Sequence, residues 1–336
     1  MRFVRYFAAY AVTAAGLGSL LPVVAAARPA PLPRTAMAAH GSQPMVYAVN
    51  QFAFSVTAFQ QTANGNVPPF TGIAGSRTKI YEPEGMAMAT SGQIAVSESS
   101  NSVTLYAPGA HGNVAPSATI TCGRGQQPGV PGQIAFDRHG NLYVKYYGGY
   151  HAPSDAIEVY APKQQSGCPS DNHVLFGART GISSDGGIAV DRNTIYTGAW
   201  TAVQEFHTSD NGNVAPYNVI AGSRTGLVET TGIALDKRGY LYVSNVSDVV
   251  VFAPGATGNA SPSAVIAGSN TQIPSGYGAL SIAVAKDGTI FVGVENAQQV
   301  SSILVFAAGS NGNVAPIRVI SGQNTGIDWP AEMIVQ

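Results

Sequence analysis

The residue types best suited to catalysis are few and widely spaced in this 336-residue chain. The six histidines are His40, His111, His139, His151, His173 and His207. A catalytic zinc site needs at least three protein ligands that converge. The sequence contains no Gly-x-Ser-x-Gly, His-Glu-x-x-His or phosphate-binding P-loop motif. Any chemistry therefore depends on which side chains the structural elements bring together.

A Gly-Asn-Val-x-Pro element recurs along the chain and defines a repeat. Copies begin at Gly65, Gly112, Gly212 and Gly312, with degraded copies at Gly167 and Gly258. The starting glycines are 47, 55, 45, 46 and 54 residues apart, which is the spacing of four-stranded propeller blades. Hydrophobic residues make up 45% of the chain and charged residues 10%, which suits many short strands. Six copies predict an all-β fold, a six-bladed β-propeller.

Each repeat carries four short apolar runs separated by turn residues, the pattern of four antiparallel strands. Runs such as Ile134-Ala135-Phe136 and Ile233-Ala234-Leu235 predict the innermost strand, with alanine where the blades converge. The chain ends on such a run, Met333-Ile334-Val335, whereas its first repeat begins on a second-strand run, Val46-Tyr47-Ala48-Val49. We therefore predict that strands from both termini complete one blade and hide its edges.

The N-terminal residues are typical of an export signal. Arg2 and Arg5 precede an uncharged apolar run that ends at Ala25-Ala26-Ala27, a small-residue cleavage site. We assign residues 1–27 to a signal peptide, 28–44 to a disordered linker and 45–336 to the propeller, with an uncleaved anchor as the alternative. The expected location is secreted or periplasmic, without membrane insertion after cleavage. Export permits a disulfide between Cys122 and Cys168, although the repeat register separates them.

The repeats resemble the NHL family. The resemblance rests on Gly187 to Asp191, Gly239 to Asn245 and Val249 to Phe252, and it covers about residues 45 to 336. The Asn-His-Leu tripeptide that names the family is not present in these copies. The family includes RNA-binding modules, sensor ectodomains, amidating lyases and scaffolds. The resemblance therefore implies a shape and leaves the chemistry open.

The loops of such a propeller sort to two rims. Turns between first and second strands, and between third and fourth strands, share the bottom rim. Second-to-third loops and blade crossovers share the top rim, where related propellers commonly bind ligands. Among the histidines only His151 falls in a top loop, so zinc-dependent catalysis is not expected.

An axial metal site is the alternative that the sequence leaves open. Lactonase and senescence-marker propellers, which this fold resembles in outline, hold a divalent cation at the axis. Asn50 and Glu98 end second strands and Glu332 begins a first strand, so these side chains are candidate oxygen ligands for a calcium-like ion. The competing interpretation is that they line a wet channel. A metal-dependent lyase or lactonase that uses this axial mouth is thus the alternative function.

Aromatic residues at the top rim favour a binding function. The candidate ligand-binding residues are Tyr146, Tyr147, Tyr150, Trp200, Tyr277 and Trp329. Such amphipathic rings suit recognition of a glycan, peptide or protein, and the competing interpretation is that they pack between loops. The repeated Arg-Thr of the crossovers, as at Arg77-Thr78, is interpreted as structural. The formal net charge of −1 disfavours nucleic acid. The preferred function is a non-catalytic, exported binding or scaffold propeller without a cofactor.

Overall fold

The computed structural model describes residues 44–121, 129–148, 155–167, 173–183, 186–276 and 278–336. These residues form six four-stranded antiparallel sheets, and the predicted six-bladed β-propeller is confirmed. The described residues belong to one compact unit. The predicted signal peptide and most of the predicted linker, residues 1–43, lie outside the described residues, as do Cys122 and Cys168. Within the described ranges, no helix is both long and apolar enough to cross a membrane.

The first three blades are built from strands β1 to β11, with the C-terminal strand β24 added to blade 1. Blade 1 contains β1 (Met45–Asn50), β2 (Ser55–Gln60), β3 (Thr71–Ala74) and, as its innermost strand, β24 (Pro330–Val335). Blade 2 contains β4 (Pro83–Met88), β5 (Ile94–Glu98), β6 (Ser102–Tyr106) and β7 (Ala118–Ile120). Blade 3 contains β8 (Val130–Phe136), β9 (Leu142–Tyr147), β10 (Ala156–Tyr160) and β11 (His173–Phe176).

The remaining strands form blades 4 to 6 in chain order. Blade 4 contains β12 (Ile188–Asp191), β13 (Thr194–Ala199), β14 (Ala202–His207) and β15 (Asn218–Ala221). Blade 5 contains β16 (Thr230–Leu235), β17 (Leu241–Asn245), β18 (Asp248–Phe252) and β19 (Ala264–Ile266). Blade 6 contains β20 (Ala279–Val284), β21 (Ile290–Glu295), β22 (Ser301–Phe306) and β23 (Arg318–Ser321). Short 3₁₀ turns lie at Pro162–Gln164, Ser269–Thr271 and Gln323–Thr325.

The innermost strands contact one another in succession around the ring. In four blades the residue before the inner-strand isoleucine or methionine is small, namely Gly85, Gly187, Gly232 and Ser281. A Cβ atom added at Gly187 would lie 2.6 Å from the backbone nitrogen of Ile233, so only glycine fits there. At the equivalent position of blade 6, Ser281 Oγ donates to the carbonyl of Pro330 at 2.7 Å. Small residues at this position therefore let neighbouring blades meet through their backbones.

The ring closes as the sequence predicts. Strand β24 pairs antiparallel with β1, with Val335 opposite Val46 and Met333 opposite Ala48. Met333 is buried in a cluster that also contains inner-strand alanines of blade 6. The C-terminus therefore supplies both the missing strand of blade 1 and part of the packing between blades 6 and 1.

The Gly-Asn-Val-x-Pro element connects blades and is more than a turn. Each starting glycine forms a parallel bridge to the outermost strand of the preceding blade, as between Gly112 and Ile73. The next residue, Asn113, accepts a hydrogen bond from the backbone nitrogen of Arg77 at 2.7 Å. Its side chain fits only because Gly75, at φ +123°, carries no Cβ. This outer contact recurs around the ring and includes the junction between blades 1 and 6.

The repeated Arg-Thr of the crossovers is structural, and at Arg77 the contact is made by the backbone and not by the side chain. Thr78 Oγ1 donates to the carbonyl of Gly75 at 2.8 Å and accepts from the backbone nitrogen of Ile80 at 3.3 Å. The threonine therefore caps the turn as expected. Arg77 contributes its backbone N–H, and the residue itself is exposed.

Candidate functional site

The top rim carries several exposed aromatic rings in second-to-third turns and in crossovers. Phe52 and Phe54 lie in the turn between β1 and β2, and Tyr81 lies in the crossover into β4. Tyr81 is 56% exposed, and Phe52 and Phe54 are also exposed. Exposed aromatic side chains do not contribute to the stability of the fold by burial. Their arrangement therefore indicates a candidate binding surface.

These three exposed rings and the half-buried ring of Trp329 form a group that we call the rim cluster: Phe52, Phe54, Tyr81 and Trp329. The ring centroids of Phe52 and Trp329 are 5.8 Å apart with an edge-to-face angle of 62°. Those of Phe54 and Tyr81 are 5.1 Å apart and tilted by 31°. The cluster thus joins the crossover that enters blade 1, the top turn of blade 1 and the crossover that enters blade 2.

The backbone holds two members of the rim cluster in an uncommon conformation. Phe54 has φ +50° and Trp329 has φ +53°, in the left-handed region that non-glycine residues seldom adopt. Hydrogen bonds keep Trp329 there, since its N–H donates to Ser301 Oγ at 2.9 Å and its carbonyl accepts from the N–H of Gln51 at 3.1 Å. The same conformation recurs in other top turns, at Asn101, Trp200, Val246 and Gln299, and is therefore a property of these turns.

Acidic side chains border the rim cluster. Gln51 Nε2 donates to Glu84 Oε1 at 2.7 Å, and Ser99 Oγ donates to Glu82 Oε2 at 3.1 Å. Both carboxylates are partly exposed. The surface therefore combines apolar rings with hydrogen-bond acceptors, a composition that suits an amphipathic ligand.

The six aromatic residues predicted to bind ligand occupy different environments. Trp200 is 54% exposed in the top turn of blade 4, and Trp329 belongs to the rim cluster. Tyr147 Oη donates to Gln133 Oε1 at 2.7 Å, and its ring leaves no room for a side chain at Gly132. Tyr146 is buried, with its hydroxyl 2.9 Å from that of Tyr160. Tyr150 and Tyr277 lie outside the described residues.

Tyr146 is buried inside the cluster between blades 2 and 3, and not between loops. Phe52 and Phe54 are the members that the sequence analysis missed. Two aromatic residues within the short top turn Gln51–Phe54 could have predicted exposed rings, because short connecting turns lie on the protein surface.

Two of the three residues predicted as axial metal ligands, Asn50 and Glu98, form hydrogen bonds with the backbone of crossovers. Asn50 Oδ1 accepts from the backbone nitrogen of Asp328 at 3.3 Å, next to Trp329. Glu98 Oε2 accepts from the backbone nitrogen of Tyr81 at 2.8 Å. Asn245 makes the same contact in blade 5, where its Oδ1 accepts from Val228 at 2.7 Å. These side chains therefore position the crossovers, including both that carry rim-cluster rings.

The three candidate ligands each form hydrogen bonds within the protein. The amide nitrogen of Asn50 donates to Thr57 Oγ1 at 3.0 Å, and Glu98 Oε1 accepts from Thr104 Oγ1 at 3.2 Å. Glu332 Oε1 accepts from the backbone nitrogen of Met333 at 3.4 Å. The described residues contain no group of three or more His, Cys, Asp or Glu side chains placed to hold a metal ion.

Burial raises the pKa of both axial carboxyls to about 8. For Glu98 the loss of hydration raises the pKa by more than the hydrogen bonds from Tyr81 and Thr104 lower it. Repulsion from Glu84 raises the pKa by a smaller amount. For Glu332 the loss of hydration raises the pKa, and the hydrogen bond from the backbone nitrogen of Met333 lowers it by a smaller amount. Neither carboxyl contributes to the pKa shift of the other, so they do not form a closely coupled pair.

We predict that calcium does not stabilise the protein. An ion that binds only the folded state must raise the melting temperature by mass action. Melting curves with a chelator and with millimolar Ca²⁺ should therefore coincide. A rise with Ca²⁺ that Glu98→Gln abolishes would contradict this prediction and restore the metal-dependent lyase or lactonase alternative.

Comparisons with known proteins show the fold. No family model matches the chain, and a comparison with curated proteins finds no significant match. The chain is similar to the crystal structure of a protein of unknown function from Bacteroides caccae, with 10% identity and a TM-score of 0.61 over 88% of this chain and 99% of that one. It is also similar to the RRP9 WD40 repeats, with 12% identity and a TM-score of 0.53 over 89% and 85% of the two chains. A third similar structure is that of U3-55K, with 12% identity and a TM-score of 0.52 over 89% of this chain and 86% of that one. At these identities the likeness concerns architecture alone: the chain is a six-bladed β-propeller.

Proposed function

We propose that the protein is an exported, non-catalytic binding propeller that recognises a glycan, peptide or protein at its top rim. The observation that carries the proposal is the rim cluster, in which the exposed rings of Phe52, Phe54 and Tyr81 and the half-buried ring of Trp329 meet in pairs. We also propose that the chain is a divergent NHL-like propeller with a cleaved export signal.

The rim cluster has the properties of a preorganised contact surface. Its rings offer large area with few rotatable bonds, so little conformational entropy is lost when a ligand binds. Asn50 and Glu98 fix the crossovers from below. Glu82 and Glu84 at the edge accept hydrogen bonds and can orient a polar ligand.

A glycan array and a peptide array probed with the purified protein test the proposal. We expect a ligand class to emerge and expect Phe54→Ala and Tyr81→Ala each to weaken its binding by at least about tenfold, because interface aromatic residues commonly contribute more than 1 kcal/mol. The change should appear as a higher dissociation constant at an unchanged melting temperature. Trp200→Ala and Tyr147→Ala, measured alongside, map how far the surface extends.

Phe70→Ala is the matched control. Phe70 is 47% exposed, comparable to the rim-cluster rings, but it precedes β3 at the bottom rim. Its replacement should leave binding unchanged. Equal losses in Phe70→Ala and Tyr81→Ala, or full binding by the double variant Phe54→Ala/Tyr81→Ala, would place the ligand elsewhere.

A further inference from the structure

A separate cavity lies at the bottom rim, between blades 4 and 5. Its volume is about 480 Å³, within the range of pockets that hold small molecules. Strands and turns of both blades line it, with Tyr196, Glu205, Tyr217 and Asn218 on the blade 4 side and Leu241 on the blade 5 side. It is therefore distinct from the rim cluster on the opposite face.

Glu205 breaks the repeat at this cavity. It directly precedes Phe206, the buried aromatic residue of the third strand. At the same position the other five blades have buried apolar residues, namely Ala58, Leu105, Val159, Val251 and Val305. Glu205 is only 9% exposed, and withdrawing a carboxylate from water costs free energy. The fold therefore does not require a glutamate here, and an apolar residue would satisfy it.

Neighbouring side chains hold the Glu205 carboxylate in one orientation. Tyr217 Oη donates to Glu205 Oε2 at 2.9 Å, and Asn218 Nδ2 donates to Oε1 at 2.9 Å. The ring of Tyr217 stacks on His207, with centroids 4.2 Å apart and planes 11° from parallel. The carboxylate is thus preorganised, as the polar group of a binding pocket should be.

Glu205 is the one charged residue among the described residues that line the cavity. Within the described part of the chain, the cavity lining includes no lysine, arginine or histidine. The ion pairs among the described residues join Arg192 to Asp191 and Arg238 to Asp236, and neither pair includes Glu205. Glu205 also helps to raise the pKa of the nearby Tyr196 to about 12, after burial itself. The site is therefore electrostatically suited to a positive charge.

The Glu205 carboxylate has acceptor positions left for hydrogen bonds from a cationic donor. An ionised carboxylate has about four acceptor positions, and Tyr217 and Asn218 use two of them. The rings of Tyr196 and Tyr217 flank the cavity, and aromatic faces attract cations. We propose that this cavity binds a small organic cation, whose ammonium or guanidinium group pairs with Glu205 against these two tyrosines.

The test compares cations with a neutral molecule of matched size. Benzylamine, which is protonated at pH 7, agmatine and the neutral benzyl alcohol are titrated into the full-length protein and followed by NMR. We expect both cations to bind and expect benzylamine to bind at least about tenfold more tightly than benzyl alcohol. Equal affinities for benzylamine and benzyl alcohol, or no binding of either cation, would overturn the proposal.

Two Glu205 variants separate the charge from the fold. Glu205→Gln keeps the size and removes the charge, so the preference for benzylamine should disappear. Glu205→Val installs the residue that three other blades use at this position, so it should abolish cation binding while raising the melting temperature. Asp287→Asn removes a carboxylate charge from the exposed turn between β20 and β21 of blade 6 and should leave cation binding unchanged. Undiminished benzylamine affinity in both Glu205 variants would refute the assignment.

Discussion

Deletion of Trp329–Gln336 is expected to abolish the cooperative unfolding transition or to lower the melting temperature by more than about 10 °C. The deletion removes β24, the innermost strand of blade 1. It leaves β1 with an unpaired edge and uncovers apolar surface now packed against the buried Ala331 and Met333. Propellers avoid such edges because they template aggregation. Thermal denaturation and light scattering measure the two consequences.

Complementation distinguishes a lost strand from general damage. A synthetic peptide of residues 329–336 added to the truncated protein should pair with β1 and restore part of the melting temperature. The same peptide with Met333→Asp should not, because it would place a carboxylate in the apolar cluster between blades 6 and 1. Removal of Gln336 alone, an exposed residue, serves as the length control. A truncated protein that melts like the full chain would disprove strand-based closure.

The sequence was sufficient to predict the strands and the closure. The apolar runs repeat four times per blade, and the incomplete runs at the two ends of the propeller could be satisfied only by each other. The partner of each Gly-Asn-Val-x-Pro element was not predictable in the same way. Gly112 bonds to the strand of Ile73, in the preceding repeat. Such a contact depends on how neighbouring blades are inclined, which strand periodicity does not encode.

The candidate sites were predictable only in part, for two physical reasons. Strand register correctly placed Asn50 and Glu98 at the ends of second strands, but it could not tell whether their oxygens face a channel or a backbone N–H. The internal repeat did contain the signal for Glu205. It is the one charged residue in a column of otherwise apolar side chains, and only the cavity beside it shows why that exception matters.

The two buried carboxyls should make the protein less stable as the pH rises. In the folded state Glu98 and Glu332 have pKa values of about 8, against 4.5 as the ordinary value. Between these values the folded state keeps two protons that the unfolded chain releases, so stability falls with increasing pH. The loss begins near pH 4.5 and is complete above pH 8. Each group contributes up to a few kcal/mol, at about 1.4 kcal/mol per pKa unit.

Glutamine variants test this sign directly. In Glu332→Gln and Glu98→Gln the side chain cannot ionise, so each variant should lose its share of the decline in stability between pH 4.5 and pH 8. Glu98→Gln retains a carbonyl oxygen that can accept from the backbone nitrogen of Tyr81, which preserves the crossover contact. Urea unfolding at pH 4.5, 6 and 8.5 gives the free energies. A decline between pH 4.5 and pH 8.5 that is as steep in a glutamine variant as in the wild type would contradict the raised pKa of the replaced carboxyl, because the difference between the two slopes isolates that group.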